Sequence, residues 1–165
     1  MTQTAEEHAE ALQQLKSLFD SSECVHLATQ SEAGPAASYA TFVVSEEVLY
    51  VLISRLAEHT QNLQRCPAVS VMLLDDQANC RNPFARNRLT LECVAEEVGH
   101  EAAVYESVMQ QYRQRHGSTV DLLRRLPDFM LFRLRPQRGR LVIGFGRAYR
   151  VQMPGFQLQP ITAAE

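Results

Sequence analysis

Changes in hydrophobic spacing divide the chain into elements. Thr4 followed by Glu7 fits a capping box, and Leu12, Leu15 and Phe19 continue at helical spacing. After Ser21 and Ser22 the period shortens. Residues 23–30 and 36–44 are rich in small and β-branched side chains, and Ser31-Glu32-Ala33-Gly34-Pro35 between them reads as a hairpin turn. Ser45-Glu46-Glu47 supplies a second turn. Residues 48–54 are apolar at both parities, which predicts a strand covered from two sides. Residues 55–65 return to helical spacing through Leu56 and Leu63 and end at Pro67, and 68–75 is again a strand apolar on both faces. A polar loop, 76–87, leads to 89–98, where Leu89, Leu91, Cys93 and Ala95 alternate with polar residues. Val104, Val108 and Tyr112 predict one helix, 119–126 predicts another, and strands are expected at 129–135, 140–145 and 147–151.

Six or seven short strands joined mostly by hairpins, with a helix crossing between 54 and 67, predict a small antiparallel barrel. A doubly wound sheet would require a helix after nearly every strand, and that alternation is missing. The predicted class is α+β, mainly β. A single domain is expected: an N-terminal helix over 1–20, a barrel with helices over 21–151, and a loosely held tail over 152–165.

The length of 165 residues supports one hydrophobic core without disulfides or metal. A net charge of −3 gives no reason to expect a nucleic-acid partner. No segment approaches a membrane span, and Met1 to Phe19 lacks an apolar signal core, so no membrane partner is expected. The cysteines at 24, 66, 80 and 93 include no C-x-x-C pair, which suits free thiols in a reducing cytoplasm. Lys16 is the single lysine, and it falls in the polar N-terminal helix, which argues against phosphate-loop and Schiff-base chemistry.

Three places carry candidate chemistry. Residues 53–63 pass from a buried strand into a helix, so the free N–H groups of the helix start could bind an anion with Ser54, Arg55 and His59 or Thr60 as donors. Ser54 serves equally as an N-cap there, with His59 packed beside Leu56 and Leu63. Arg81, Arg86 and Arg88 frame the loop before residue 89, either as a clamp for carboxylate or phosphate or as a solvated basic loop. Asp128, between Pro127 and an apolar run, fits a turn or strand cap. Gly144-Phe145-Gly146 lacks the third glycine of a dinucleotide fingerprint, and no Cys/His spacing supports a metal site.

Four stretches together carry a resemblance: Ser38-Tyr39-Ala40-x-Phe42-Val43, Ile53-Ser54-x-Leu56-Ala57-x-His59-Thr60-x-Asn62-Leu63, Phe84-Ala85-Arg86-x-Arg88-Leu89-Thr90, and Asp128-Phe129-Met130-Leu131-Phe132-Arg133-Leu134. The Gly144-Phe145-Gly146-x-Ala148-Tyr149 stretch also fits. From about residue 20 to 151 the chain resembles the haem-utilisation branch of the pyridoxamine 5'-phosphate oxidase-like, FMN-binding split-barrel superfamily.

The resemblance implies a homodimeric split barrel with FMN or haem in a cleft between subunits. It places the flavin phosphate at Ser54 to Thr60 and turns Arg88 toward the cleft. Flavin-binding relatives carry arginine at the position of Tyr39 and lysine at that of His59, so the replacements point toward haem. The haem branch ligates iron through a histidine in a C-terminal extension, supported by an aspartate that Asp128 matches. Here the last histidine is His116. The remaining ligand candidates are His26, His59, His100 and His116, with His59 expected at the cleft and Arg86 or Arg88 expected to meet the propionates. The activity implied is a redox reaction of the cofactor, as an FMN-dependent oxidoreductase or a haem-degrading oxygenase, and the alternative is a carrier without turnover. The strands at 48–54 and 68–75 are expected to need a second subunit to cover their outer faces.

Overall fold

A computed structural model of the protein describes residues 2–80 and 82–162, apart from the side chains of residues 2–4 and 79. Arg81 and the Thr4 side chain of the expected capping box lie outside the described residues. The elements run α1 (Thr2–Ser21), β1 (Cys24–Ser31), β2 (Gly34–Ser45), β3 (Val48–Ser54), α2 (Glu58–Arg65), β4 (Ala68–Leu74), β5 (Arg88–Val98), α3 (Tyr105–His116), α4 (Thr119–Leu123), β6 (Phe129–Ile143), β7 (Arg147–Gln152) and β8 (Gln157–Pro160).

All strand pairings are antiparallel, and the sheet order is β3-β2-β1-β4-β5-β6-β7-β8 with β3 also paired to β6. That extra pairing closes six strands into the predicted barrel. Strand β6 is the seam. Its first part, Phe129–Leu134, pairs with β3, and its last part, Arg138–Ile143, pairs with β7. The two segments expected at 129–135 and 140–145 are therefore one strand. Pro136 hid this, because proline inside a strand reads as a break. Here it sits beside the register shift between Glu92 and Cys93, where the extra residue bends the strand without ending it. Gly139 then passes so close to β5 that an added Cβ would clash with the Thr90 carbonyl oxygen.

The barrel interior takes the alternate residues of each strand, including Leu27, Phe42, Val51, Val71, Leu91 and Leu134, all at most 2% exposed. Full burial of each such side chain contributes about 1.5–3 kcal/mol. Helix α1 adds Ala11, Leu15, Leu18 and Phe19 to this core. Leu12, expected in the stripe, remains 40% exposed because Ala11 takes the inward position.

Strand β3 is buried on both faces, as its composition predicts, but its own chain provides the cover. Tyr50 and Leu52 pack with Tyr105, Val108, Met109 and Tyr112 of α3. No second subunit is needed there, which corrects the expectation for residues 48–54. Strand β4 differs: Val69, Val71 and Leu73 are buried, while Ser70, Met72 and Leu74 on the other face stay half-exposed. The Tyr112 hydroxyl accepts from Leu52 N–H at 2.9 Å and lies 2.8 Å and 3.0 Å from the carbonyls of Thr41 and Tyr50. It fills the gap where β2 and β3 diverge beyond the Phe42–Val51 pair.

The C-terminal segment expected to be loosely held contributes β8. Leu158 is buried, and Ile161 N–H donates to the Ala148 carbonyl at 2.8 Å. Four residues of strand with a single buried apolar side chain gave too weak an alternation to register as an element.

Candidate functional site

Strand β3 ends at Ser54, and three residues of turn precede α2. The helix starts later than the expected residue 55, and its cap position is Ala57, without a side-chain cap. Leu56, expected on its apolar face, is 84% exposed in the turn. The Ser54 hydroxyl instead donates to Asp128 Oδ2 at 2.8 Å and accepts from Leu56 N–H at 3.1 Å. Arg55 N–H donates to the Asp128 carbonyl at 2.7 Å, and the buried Thr60 hydroxyl donates to the Ser54 carbonyl at 2.5 Å. One turn later, Asn62 Nδ2 donates to the Thr29 hydroxyl at 3.1 Å while its Oδ1 accepts from Arg65 at 2.9 Å. Ser54, Arg55 and Thr60 thus meet as expected, but they bind one another and Asp128, which the sequence did not place with them.

His59 faces β2, with Nδ1 3.0 Å from the Ser38 hydroxyl. Burial lowers its pKa, favouring the neutral imidazole. Tyr39 is the next residue on β2 and points to the opposite face, 69% exposed. The structure therefore separates His59, which meets Ser38, from Tyr39, although the resemblance expects both at the cofactor.

Arg86 and Arg88 lie near the other end of the seam. Arg88 pairs with Val142, whereas Ser54 pairs with Phe129. Within one chain the two arginines do not join the Ser54 corner. Arg86 Nε donates to the Asp75 carbonyl at 2.6 Å. Burial raises the Asp75 pKa against the lowering effects of the Asn87 hydrogen bond and the Arg86 charge. Arg88 is exposed and shares the outer barrel face with a register row running Tyr39, His26, Met72, Thr90 and Arg140 across β2, β1, β4, β5 and β6. Three clefts open on this face, one of them, of about 550 Å³, along Thr90, Arg140 and Gln152. Another of about 750 Å³ lies along Ala28, Ser70, Glu92 and Val94, and one of about 470 Å³ brings His26 beside Arg86.

Residues 11–143 match the pyridoxamine 5'-phosphate oxidase family (PNPOx_N). The chain belongs to this family. It is 41% identical over 139 residues to the heme oxygenase HutZ of Vibrio cholerae, covering 84% of this chain and 79% of HutZ. The crystal structure of HutZ, the heme storage protein of Vibrio cholerae, superposes with a TM-score of 0.73 at 39% identity, over 79% of this chain and 92% of HutZ. Campylobacter jejuni ChuZ superposes with a TM-score of 0.84 at 26% identity, over 94% of this chain and 64% of ChuZ. These relatives place the chain in the haem-utilisation branch of the split-barrel family.

At the Ser54–Thr60 corner the uncapped start of α2 favours an anion such as the phosphate of FMN, but the side chains around it do not. A dianion there would face the Asp128 carboxylate, and the Ser54 and Thr60 hydroxyls already donate within the chain. Of the turn's N–H groups, those of Arg55, Leu56 and Ala57 are also engaged. The outer face presents the exposed imidazole of His26, the half-exposed apolar side chains of Met72 and Leu74, and Arg86 and Arg88, beside the carboxylates of Glu23 and Asp76. The sequence reading missed the alignment of His26 with Tyr39 and Met72. The alternation of Val25, His26 and Leu27 signals that His26 faces outward, but only strand register names its neighbours. Among the described residues no group of three or more His, Cys, Asp or Glu side chains is arranged to hold a metal ion, and no helix is long and apolar enough to cross a membrane.

Proposed function

We propose that this protein binds haem for haem utilisation, on the outer barrel face between two copies of the chain. The observation that carries the reading is the 41% identity, over most of both chains, to the heme oxygenase HutZ. The geometry supports it. Polar groups at the Ser54 corner are engaged internally, while Tyr39, Arg88 and the half-exposed residues of β4 face outward. A second copy would cover Tyr39 (69% exposed) and Val94 (43% exposed), a role no other element of the described chain fills. Obligate dimers commonly bury upward of about 2,000 Å².

Bound haem supplies the redox chemistry, and the protein supplies orientation and electrostatics. Arg86 and Arg88 offer planar forks for the propionates. Asp128, Ser54, Arg55 and Thr60 hold the β3–α2 corner, and His59 ties α2 to β2 in its neutral form. The four free cysteines suit a reducing cytoplasm.

FMN is the second reading, favoured by the match of residues 11–143 to the pyridoxamine 5'-phosphate oxidase family. Absorbance of the purified protein separates the two. A sharp Soret band on haemin addition, without a flavin band near 450 nm, is the expected result. A copurifying flavin with no saturable haemin binding would overturn the haem reading. Sedimentation at micromolar concentration should give twice the mass of the 18.6 kDa chain.

A further inference from the structure

We infer that the outer face of β5, β6 and β7 holds a binding site for a phosphate dianion, free or carried by a small phosphomonoester. Arg140 is its centre, with Arg88 and Thr90 beside it. The site is independent of the haem reading, and no haem is needed to test it.

The charges of β5 and β6 are matched along most of their length. Glu96 stands opposite Arg133 and Glu92 opposite Arg138, and each pair is joined by a salt bridge. Arg135 shares Glu96 at 3.6 Å, and Arg147 of β7 meets Glu10 of α1 at 2.6 Å. One step further along the same face the matching stops. Arg140 stands opposite Thr90, and Arg88 opposite Val142. Among the described residues neither arginine meets a carboxylate, and Arg88 has only its long contact to the Arg86 carbonyl. Exposed ion pairs add little to folding, so their omission here costs the barrel little. It does leave positive charge concentrated at one place in a chain of net charge −3.

Register brings these groups together. Arg88 is the diagonal neighbour of Arg140 across the β5–β6 pair, with Cα atoms about 7–8 Å apart, a distance long side chains bridge. Arg150 of β7 stands directly opposite Arg140 and adds a guanidinium to the same row. The cleft of about 550 Å³ opens here, lined by Thr90, Arg140, Arg150 and Gln152, and by Arg138 with Glu92. Glu92 is occupied, accepting from Arg138 Nε at 2.8 Å. The other polar side chains of the lining all carry donors. Among the described lining residues Ile161 is the only apolar side chain left half-exposed, so the cleft suits a compact anion. Planar forks converging with a hydroxyl and a primary amide match the oxygens of phosphate, and their fixed charge matches its two negative charges.

Isothermal titration calorimetry of the full chain without haemin, at neutral pH and fixed ionic strength, tests this. The probes are inorganic phosphate and glycerol 1-phosphate. At least one should bind saturably to wild type, and the tighter one names the source. Arg140→Gln should weaken that binding at least about tenfold, the loss of one bidentate charge-assisted contact. Arg140→Lys keeps the charge without the fork and should fall between the two. Arg113→Gln, at an arginine paired with Asp121, should stay within about twofold of wild type. Affinity unchanged in Arg140→Gln would overturn the site. Equal weakening in Arg113→Gln would overturn it too, as a general charge effect. Wild type that binds neither probe also overturns it, and a dimer that Arg140→Gln then dissociates would assign the arginine to a carboxylate of the second copy. Far-ultraviolet circular dichroism should show both Arg140 variants folded, as expected at an exposed strand position.

Discussion

At the β3–α2 corner, Ser54, Thr60 and Asn62 each donate a hydrogen bond to another group of the same chain. On the outer face of β1, β4 and β5, the imidazole of His26 is exposed, and Arg88 makes only a long 3.5 Å contact to a backbone carbonyl. In the sequence the first region is the more suggestive, because a strand-to-helix junction with hydroxyls, arginine and histidine reads as an anion site. Folding reverses that ranking. Polar groups bonded within the chain hold the backbone, and polar groups left facing outward are the ones available to a ligand. Substitutions should therefore affect stability at the corner and binding on the face.

The largest stability loss is expected from Asn62→Ala. Asn62 is fully buried, and its removal takes the amide donor from the Thr29 hydroxyl, which keeps only a long 3.5 Å contact to the Ala36 carbonyl, and leaves Arg65 with Glu32 alone. Unsatisfied buried groups plus the cavity should cost about 3 kcal/mol, seen as a lower midpoint in urea unfolding. A loss below about 1 kcal/mol would show that the corner rearranges freely.

Ser54→Ala comes next. It removes the hydrogen bond to Asp128 and the acceptor for Leu56 N–H in a half-buried place, and should cost about 1–1.5 kcal/mol. If Ser54 and Asp128 act together, the double variant Ser54→Ala/Asp128→Ala should lose less than the sum of the single losses. Strict additivity would mean that the bond contributes nothing of its own.

A smaller effect follows pH. Burial lowers the pKa of His59 from the ordinary value of 6.5. The unfolded chain therefore binds this proton more readily than the folded one, so stability rises with pH across the interval between the two values. The His59 contribution is complete above pH 6.5 and is lost as pH falls through the lowered value. Thermal melts of wild type and His59→Gln, compared from neutral to mildly acidic pH, should show the steeper decline in wild type. Parallel profiles would remove His59 from the account.

The barrel was legible because its inward residues alternate cleanly, as in Leu89, Leu91 and Cys93 or Val69, Val71 and Leu73. The long β6 was not, since Pro136 looks like a terminator until the bulge opposite it is seen. Ser54 and Thr60 were recognisable as a group, whereas Asp128 was not placed with them. Their mutual hydrogen bonds were not legible, because residue type specifies donors and acceptors but not their partners. The double-sided burial of β3 could be read from Val48 to Ile53, whereas its cover by α3 depends on how a later helix folds back. His26 carried no motif at all. Its neighbours on either side in space, Tyr39 and Met72, are distant in sequence and come together only through strand register.

The smallest effect on the single chain is expected on the outer face, and it is also the most discriminating. Tyr39 is 69% exposed and Arg140 is exposed, so Tyr39→Ala and Arg140→Ala should each change the stability of an isolated barrel by no more than about 0.5 kcal/mol. A second copy seated on this face changes how that stability behaves. Wild-type melting temperature would then rise with protein concentration, because association stabilises the folded state by mass action. Melts of wild type and Tyr39→Ala over about a hundredfold range of concentration separate the two contributions. The expected outcome is a concentration-dependent wild type and a variant whose dependence is shifted to higher concentration, with the two converging at the dilute end where the chain stands alone. A wild-type melting temperature independent of concentration, together with a monomeric mass, would leave the outer face uncovered and the dimer proposal without support.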